Sequence, residues 1–238
     1  MILLIGIGAG DPDYVTVQAV TALNAFDVLF VVTKDGAEDL VAMRRAVVER
    51  HRDAPYRTVE LEDPPRPWRE APDYHAAVAR WRAERREQWR AAIATLGDDV
   101  GAFLVWGDPS LYESTLAIVA DLGVEFEVIP GISAVHALTA RHRIPLNRVG
   151  RAVHITPGRL LDGELPADDV VVMLDAHAGF ANLPADGIEI YWGAYLGTTD
   201  EILISGPLGE VAEEIARTRE QARERKGWIF DTYLLRRT

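Results

Sequence analysis

The chain has no cysteine and only two lysines, Lys34 and Lys226, among its 238 residues. Without thiols it cannot form a disulfide, present a thiolate nucleophile or build a cysteine-based zinc site. No apolar run approaches the ~20 residues that a membrane-spanning helix needs, and the first residues lack the basic and small-residue signals of a secretory leader. These absences predict a cytoplasmic protein that binds no metal.

Negative charge is in excess, with a formal net charge of -12. General nucleic-acid binding needs a basic face, so this balance argues against it. The positive charge is concentrated in the segment from Arg44 to Arg90, which is rich in arginine. Arginine forks could bind a polyanionic ligand, whereas a solvated helix face is the simpler interpretation for most of them.

Apolar residues make up 48% of the chain, enough for a substantial core. Buried apolar runs alternate with amphipathic segments up to about residue 141, which predicts a doubly wound parallel sheet. Beyond Pro145 strand-like runs crowd together and one charged helix follows, which predicts a smaller α/β domain with a mixed sheet. We therefore expect two domains, 1–148 and 149–238, the second closing a crevice for cofactor and substrate.

The first strand, Ile2–Gly6, leads directly into a glycine loop that ends at Asp11. A dinucleotide-binding loop would place its third glycine one residue later, under a pyrophosphate at a helix N-terminus. Here Gly10 comes early, and the Asp11 carboxylate would repel a phosphate. The loop suits a nucleoside without phosphate, and S-adenosylmethionine, which carries positive charge, is the obvious candidate. A turn that binds nothing remains the alternative for this motif alone.

Two more predicted strands end in similar turns, Gly107-Asp108-Pro109 and Pro130-Gly131-Ile132-Ser133. In a parallel sheet all three loops lie at the carboxyl edge, where open α/β sheets bind their ligands. Three glycine turns at one edge favour a ligand crevice over chance.

In order and spacing these three motifs resemble the tetrapyrrole methylase family, over nearly the whole chain. The segments 33–40, 141–147 and 191–197, with the divergent Tyr112-Glu113, are most similar to one branch of that family. The resemblance implies a two-domain, S-adenosylmethionine-dependent enzyme of cobalamin synthesis. This branch methylates C-1 of precorrin-5 and releases acetate. Ala9 departs from the proline that most members have in the first loop.

The resemblance also implies the positions that contact the cofactor, with Asp108 as the main polar anchor. They are Ala9, Gly10, Gly107, Asp108, Leu111, Ser133, Ala134, Met173, Gly197 and Pro207.

Methyl transfer from a sulfonium needs mainly positioning, whereas deacetylation needs a base and an oxyanion donor. The candidates for catalysis are Tyr112, Glu113, Lys34 and His136, with His142 and His154 also considered. A given histidine is more often structural than catalytic. Lys34 could instead pair with a substrate carboxylate.

The implied substrate, a precorrin, is a polyanion, so a locally cationic lining is expected from Lys34, the arginine-rich segment and Arg148 or Arg151. The resemblance also implies a homodimer. Trp68, Trp81 and Trp89 are expected as surface aromatics near a proline-rich loop, and some of them should be buried either against the core or against a partner.

Other functions stay open at this point. Another precorrin methyltransferase would give no acetate, and a non-catalytic nucleoside- or tetrapyrrole-binding module would bind without turnover. The early third glycine and Asp11 disfavour a nicotinamide dehydrogenase.

Overall fold

The computed structural model describes residues 1–34, 38–65, 72–161 and 163–238. Contacts within the chain divide it into two compact units. The first unit holds Met1–Gly8 and Pro12–Ile132, and the second holds Ala9–Asp11 and Ser133–Thr238. The second unit therefore begins before the expected boundary at residue 148 and also takes in three residues of the first glycine loop.

The first unit is built on a five-stranded sheet in which all strand pairs are parallel. The strand order is β3-β2-β4-β1-β5, which places β4 and β5 on either side of β1. The central strand β1 is buried at every position, as its run of apolar residues predicts. The strands are β1 (Ile2–Gly6), β2 (Val28–Thr33), β3 (Arg57–Glu62), β4 (Gly101–Val105) and β5 (Phe126–Ile129).

Helices cover both faces of this sheet, which confirms the doubly wound arrangement. On one face α1 (Val17–Leu23) and α2 (Glu38–His51) share a core with the sheet. On the other face α3 (Tyr74–Ile93) and α4 (Thr115–Ala120) share a second core.

No helix in the described ranges has both the length and the apolar composition to cross a membrane.

Helix starts follow local capping chemistry. The Thr16 hydroxyl accepts a hydrogen bond from the Ala19 amide at 3.0 Å, and the Asp73 carboxylate accepts one from the Ala76 amide at 3.0 Å. Both residues sit at the N-cap, where such side chains satisfy amides that have no partner within the helix. α4 begins only at Thr115, after Tyr112, whose left-handed backbone conformation with φ of 52° is incompatible with a helix.

The second unit is built on a mixed five-stranded sheet of order β6-β7-β10-β8-β9. β6 and β7 are parallel, and the other neighbouring pairs are antiparallel, as predicted for this half of the chain. The helices are α5 (Ala134–His142) and α6 (Leu208–Lys226). The strands are β6 (His154–Pro157), β7 (Asp169–Met173), β8 (Ile188–Ala194), β9 (Ile202–Pro207) and β10 (Asp231–Arg237).

A buried carboxylate in the second unit holds the segment between α5 and β6. Asp169 accepts hydrogen bonds from Arg236 Nε at 2.5 Å and from Arg148 Nε at 3.1 Å. Arg236 also donates to the carbonyl groups of Pro145 and Leu146. This network fastens an irregular segment to β7 and β10, because a buried charge is tolerated only when its partners are complete.

The structure describes two of the three tryptophans that were considered for a dimer interface. Trp81 and Trp89 are both buried within the first unit, with the Arg85 guanidinium 4.5 Å and 5.0 Å from their ring centroids. Arg85 forms a buried ion pair with Asp63 at 2.9 Å. This burial agrees with the expectation that some of these rings pack against the protein's own core. Trp68 lies outside the described residues.

Candidate active site

The glycine loops after β1, β4 and β5 meet at the carboxyl edge of the first sheet. A Cβ atom on Gly6 would lie 2.6 Å from the Gly131 amide nitrogen and 3.0 Å from the Gly107 carbonyl oxygen. Gly8 and Gly107 exchange backbone hydrogen bonds of 2.8 and 3.3 Å. These loops pack backbone against backbone, and this close approach explains why glycine is needed at Gly6 and Gly131.

The Asp108 carboxylate connects two of these loops. One oxygen accepts a hydrogen bond from the Gly131 amide at 2.9 Å. The other accepts from the Ser110 amide at 2.8 Å and from the Ser110 hydroxyl. Asp108 thus fixes the position of the loop after β5 relative to the loop after β4, a role that the sequence did not predict.

The first loop is not followed directly by an α-helix. A short 3-10 turn, Pro12–Tyr14, comes next, and α1 begins only at Val17. No helix N-terminus therefore stands under the third glycine, where a dinucleotide-binding loop needs one for the pyrophosphate. This geometry agrees with the argument from Asp11 that the loop is not a phosphate cradle.

The segment after Asp108 contains two of the residues considered for catalysis. Tyr112 is 42% exposed. The Glu113 carboxylate accepts a hydrogen bond from the Thr115 amide and so caps α4, while Ser114 accepts a hydrogen bond from Arg85 at 3.1 Å. Glu113 therefore has a structural role at this helix start, whether or not it also acts in catalysis.

An arginine side chain from α2 contacts the end of β4, immediately before the Gly107 loop. Arg44 of α2 donates to the carbonyl of Leu104 at 3.4 Å, and its guanidinium lies 5.3 Å from the centroid of the Trp106 ring. Burial lowers the pKa of Arg44 to about 10, an effect opposed by the Glu113 charge and strengthened by Arg85. Arg44 therefore stays cationic at neutral pH, at the edge where the glycine loops meet.

Several other basic residues form ion pairs with acidic side chains. Arg57 pairs with Asp99 at 2.9 Å, close to the amino ends of the strands. In the second unit Arg148 pairs with Asp169 and Arg151 pairs with Asp168 at 3.2 Å. The expectation that Arg148 or Arg151 lines a substrate crevice gains no support from these contacts. Lys34 is exposed just beyond β2, and Arg66 and Arg69 lie outside the described residues.

In the second unit the first glycine loop contacts the turn between β8 and β9. A Cβ atom on Gly10 would lie 2.6 Å from the Leu196 carbonyl oxygen and 2.8 Å from the Thr198 methyl group. The Gly197 amide donates to Glu201 at 2.9 Å, which holds this turn. The structure thus brings together Gly10 and Gly197, two residues expected to contact the cofactor.

The remaining expected cofactor residues lie at the ends of elements. Leu111 follows the Gly107 loop in the first unit, and Ala9 precedes Gly10 in the second. The others in the second unit are Ser133 and Ala134 at the start of α5, Met173 at the end of β7 and Pro207 at the end of β9.

The three histidines considered for the acetyl chemistry differ in their surroundings. His136 is exposed, and its Nδ1 lies 2.9 Å from the Ser133 hydroxyl at the start of α5. His142 Nε2 lies 3.0 Å from the Trp192 carbonyl, and burial lowers the pKa of His142. Since a carbonyl only accepts, Nε2 carries the proton and donates it to the Trp192 carbonyl of β8. His154 is exposed at the start of β6.

Within the described ranges no three histidine, aspartate or glutamate side chains are grouped so that they could hold a metal ion.

The sequence model of the tetrapyrrole (corrin/porphyrin) methylase family matches residues 1–212 of the chain. The chain belongs to this family. It is 46% identical over 250 residues to the precorrin-6A synthase (deacetylating) of Sinorhizobium sp., covering 99% of this chain and 95% of that protein.

Solved structures of tetrapyrrole methylases share the fold. The cobalamin-synthesis-related protein CobF of Corynebacterium diphtheriae superposes with a TM-score of 0.84 at 37% identity, over 100% of this chain and 98% of that chain. Uroporphyrin-III C-methyltransferase of Thermus thermophilus, solved with S-adenosyl homocysteine, has a TM-score of 0.57 at 18% identity. That comparison covers 99% of this chain and 96% of that chain, and it shows the fold alone.

We expect Asp108→Ala to weaken binding of S-adenosyl homocysteine by roughly ten- to a hundredfold, as loss of a charged hydrogen bond does. The variant loses the acceptor of the Gly131 amide, so the loops that shape the site separate. Isothermal titration calorimetry measures the effect. Ser110→Ala, which removes only the hydroxyl donor to Asp108, is the control and should change affinity by less than about threefold. Wild-type affinity in Asp108→Ala would contradict the assignment.

Proposed function

We propose that this tetrapyrrole methylase uses S-adenosylmethionine to methylate C-1 of precorrin-5 and releases acetate, giving precorrin-6A. The observation that carries the proposal is its full-length similarity to a precorrin-6A synthase (deacetylating). The described loops fit this cofactor, because they offer close-packed glycine backbone and a carboxylate while lacking a phosphate cradle.

S-adenosylmethionine supplies a methyl group that is already activated by its sulfonium. The protein's task is therefore to hold two ligands in register and to exclude water from the transfer. We assign cofactor binding to Gly107, Asp108 and Leu111 in the first unit. In the second unit we assign it to Ala9, Gly10, Ser133, Ala134, Met173, Gly197 and Pro207.

Loss of the acetyl group is a hydrolysis. A water oxygen adds to the acetyl carbonyl, the bond from that carbon to the ring breaks, and its electron pair remains with the ring. Acetate thus takes one oxygen from water. Such a step needs a base for the water and a donor for the oxyanion. Tyr112, Glu113, Lys34 and His136 are the proposed contributors. The Glu113 carboxylate accepts a hydrogen bond from the Thr115 amide, and His136 Nδ1 lies 2.9 Å from the Ser133 hydroxyl.

The activity test uses precorrin-5, S-adenosylmethionine labelled in its methyl group, and water enriched in oxygen-18. We expect one labelled methyl in the product and one equivalent of acetate that contains water-derived oxygen. Mass spectrometry of the product and the released acid measures both.

The same experiment separates the alternatives. A methylated product without acetate would indicate another precorrin methyltransferase. Binding of S-adenosylmethionine without turnover of any precorrin would indicate a binding module.

We infer that the polyanionic precorrin is held in part by Arg44. Its guanidinium is cationic, half-buried and close to the Gly107 loop. A partly desolvated arginine binds a carboxylate more strongly than a fully hydrated one, because fewer water molecules compete for its hydrogen bonds. Arg44 therefore serves a substrate with several carboxylates despite the protein's overall charge of -12.

Arg44→Gln should raise KM for precorrin-5 about tenfold and change kcat by less than about twofold. The reason is that a peripheral carboxylate binds alike in the ground state and in the transition state. Higher ionic strength should raise the same KM while leaving that of S-adenosylmethionine nearly unchanged. Arg57→Gln, at the amino edge of the sheet, is the matched control. A KM that responds neither to salt nor to Arg44→Gln would rule out this role.

A homodimer and a cytoplasmic location also belong to the proposal. Family membership supports the homodimer, whereas Trp81 and Trp89 give no support to a dimer interface because the protein's own core buries them. A molar mass from light scattering at micromolar concentration decides the first point.

A further inference from the structure

Leu174, the residue after β7, stands in an unusual conformation. Its φ is 52°, in the left-handed region that leucine rarely adopts, and 60% of the residue is exposed. Both properties are unfavourable locally, since a Cβ crowds the backbone there and an apolar side chain meets water. Such a conformation persists only where surrounding structure imposes it, and residues of this kind cluster at ligand sites.

The imposing structure begins with the buried carboxylate of Asp175. It accepts hydrogen bonds from the Tyr233 hydroxyl at 2.6 Å, the Gly179 amide at 2.7 Å and the His177 amide at 2.9 Å. Tyr233 is fully buried, and burial raises its pKa, so its hydroxyl keeps the proton that it donates. The main chain is also closely confined, because a Cβ atom on Gly158 would lie 2.5 Å from the Asp175 Cβ.

A second set of buried groups holds the backbone of the same loop. Arg219 of α6 donates to the Asp175 carbonyl and, through Nε at 2.7 Å, to Asp231. Asp231 also accepts a hydrogen bond from Trp192 Nε1 at 3.0 Å. The loop is thereby tied to α6, β8 and β10. A polar network with complete partners of this kind rigidifies the segment that it holds.

The strand register shows what lies at the same end of the sheet. Met173 pairs with Thr232, so Leu174 follows at the end of β7 where β10 begins. Phe230, 49% exposed, lies just before that start, and its carbonyl accepts a hydrogen bond from the Tyr195 amide at 2.9 Å. Gly197, two residues after Tyr195, is among the proposed cofactor contacts. An exposed apolar side chain is thus held rigidly beside residues assigned to ligand binding.

We propose that Leu174 is a substrate-contacting residue that packs against the apolar face of the tetrapyrrole macrocycle, held in place by Asp175 and Tyr233. The inference rests on the proposed function. The macrocycle is a broad ring whose carboxylates lie at its periphery, so its face needs an apolar contact. The adenine ring offers a similar face, and the measurements below separate the two ligands.

The test compares Leu174→Gly with Ala178→Gly. Ala178 is the matched control, because it is also a non-glycine residue with positive φ, 56°, in the same loop. Glycine relieves the backbone strain at either position, so both variants should raise Tm by about 2–4 °C. Leu174→Gly alone should raise KM for precorrin-5 roughly tenfold or more, with an unchanged Kd for S-adenosyl homocysteine.

The positioning role of Tyr233 is tested by Tyr233→Phe. Without the hydroxyl the Asp175 loop loosens, so KM for precorrin-5 should rise several-fold in the otherwise wild-type protein. In the Leu174→Gly background the same substitution should leave KM unchanged, because the side chain that it positions is gone. A merely structural Tyr233 would lower Tm but show no such dependence on Leu174.

Three outcomes would overturn the inference. The first is that Leu174→Gly and Ala178→Gly have equal KM values for precorrin-5. The second is that Leu174→Gly loses affinity for S-adenosyl homocysteine, which would indicate that Leu174 contacts adenine instead. The third is that the effects of Leu174→Gly and Tyr233→Phe on KM are additive. If the wild-type protein neither binds precorrin-5 nor releases acetate from it, the proposed function fails and this inference fails with it. An active wild type with any of the three outcomes overturns the Leu174 assignment alone.

Discussion

The close approach of three backbone loops at the carboxyl edge of the first sheet is the constraint on which the candidate site depends. Gly6 and Gly131 have no space for side chains because each lies against the other and against the Gly107 carbonyl oxygen. The Asp108 carboxylate accepts a hydrogen bond from the Gly131 amide and so connects two of these loops. The groups that these loops present are therefore set mainly by main-chain geometry, which rotamer changes cannot alter. For a methyl transfer that depends on alignment, this fixed backbone is what the chemistry requires.

The second unit uses buried charge in a different way. Its described residues include two buried carboxylates that pair with arginine: Asp169 pairs with Arg148 and Arg236, and Asp231 pairs with Arg219. Each of these arginines also donates a hydrogen bond to a main-chain carbonyl. Burying a charge is costly, and breaking such a pair is costlier still. Both networks hold irregular segments and leave the central packing to apolar side chains. The apolar core therefore stabilises the sheet, while the ion pairs determine where its loops stand.

The elements that could be predicted from the sequence are those with a clear local signal. The apolar run of β1, the alternation of strands and helices, and the glycine turns at one sheet edge all match the structure. The family resemblance added candidate cofactor residues that no local pattern would reveal, such as Met173. By contrast, the capping role of Glu113 and the inclusion of Ala9–Asp11 in the second unit were not foreseen.

By itself the sequence determined the strands, the positions of the tight turns, the lack of thiol chemistry and the family. These properties depend on side-chain periodicity, on glycine or on composition, all of which are local. Only the tertiary structure decided which partner each polar side chain has, because partners such as Asp108 and Gly131, or Asp175 and Tyr233, lie far apart along the chain. It also decided that Leu174 stands exposed in a strained conformation, since buried groups of α6, β8 and β10 together impose it.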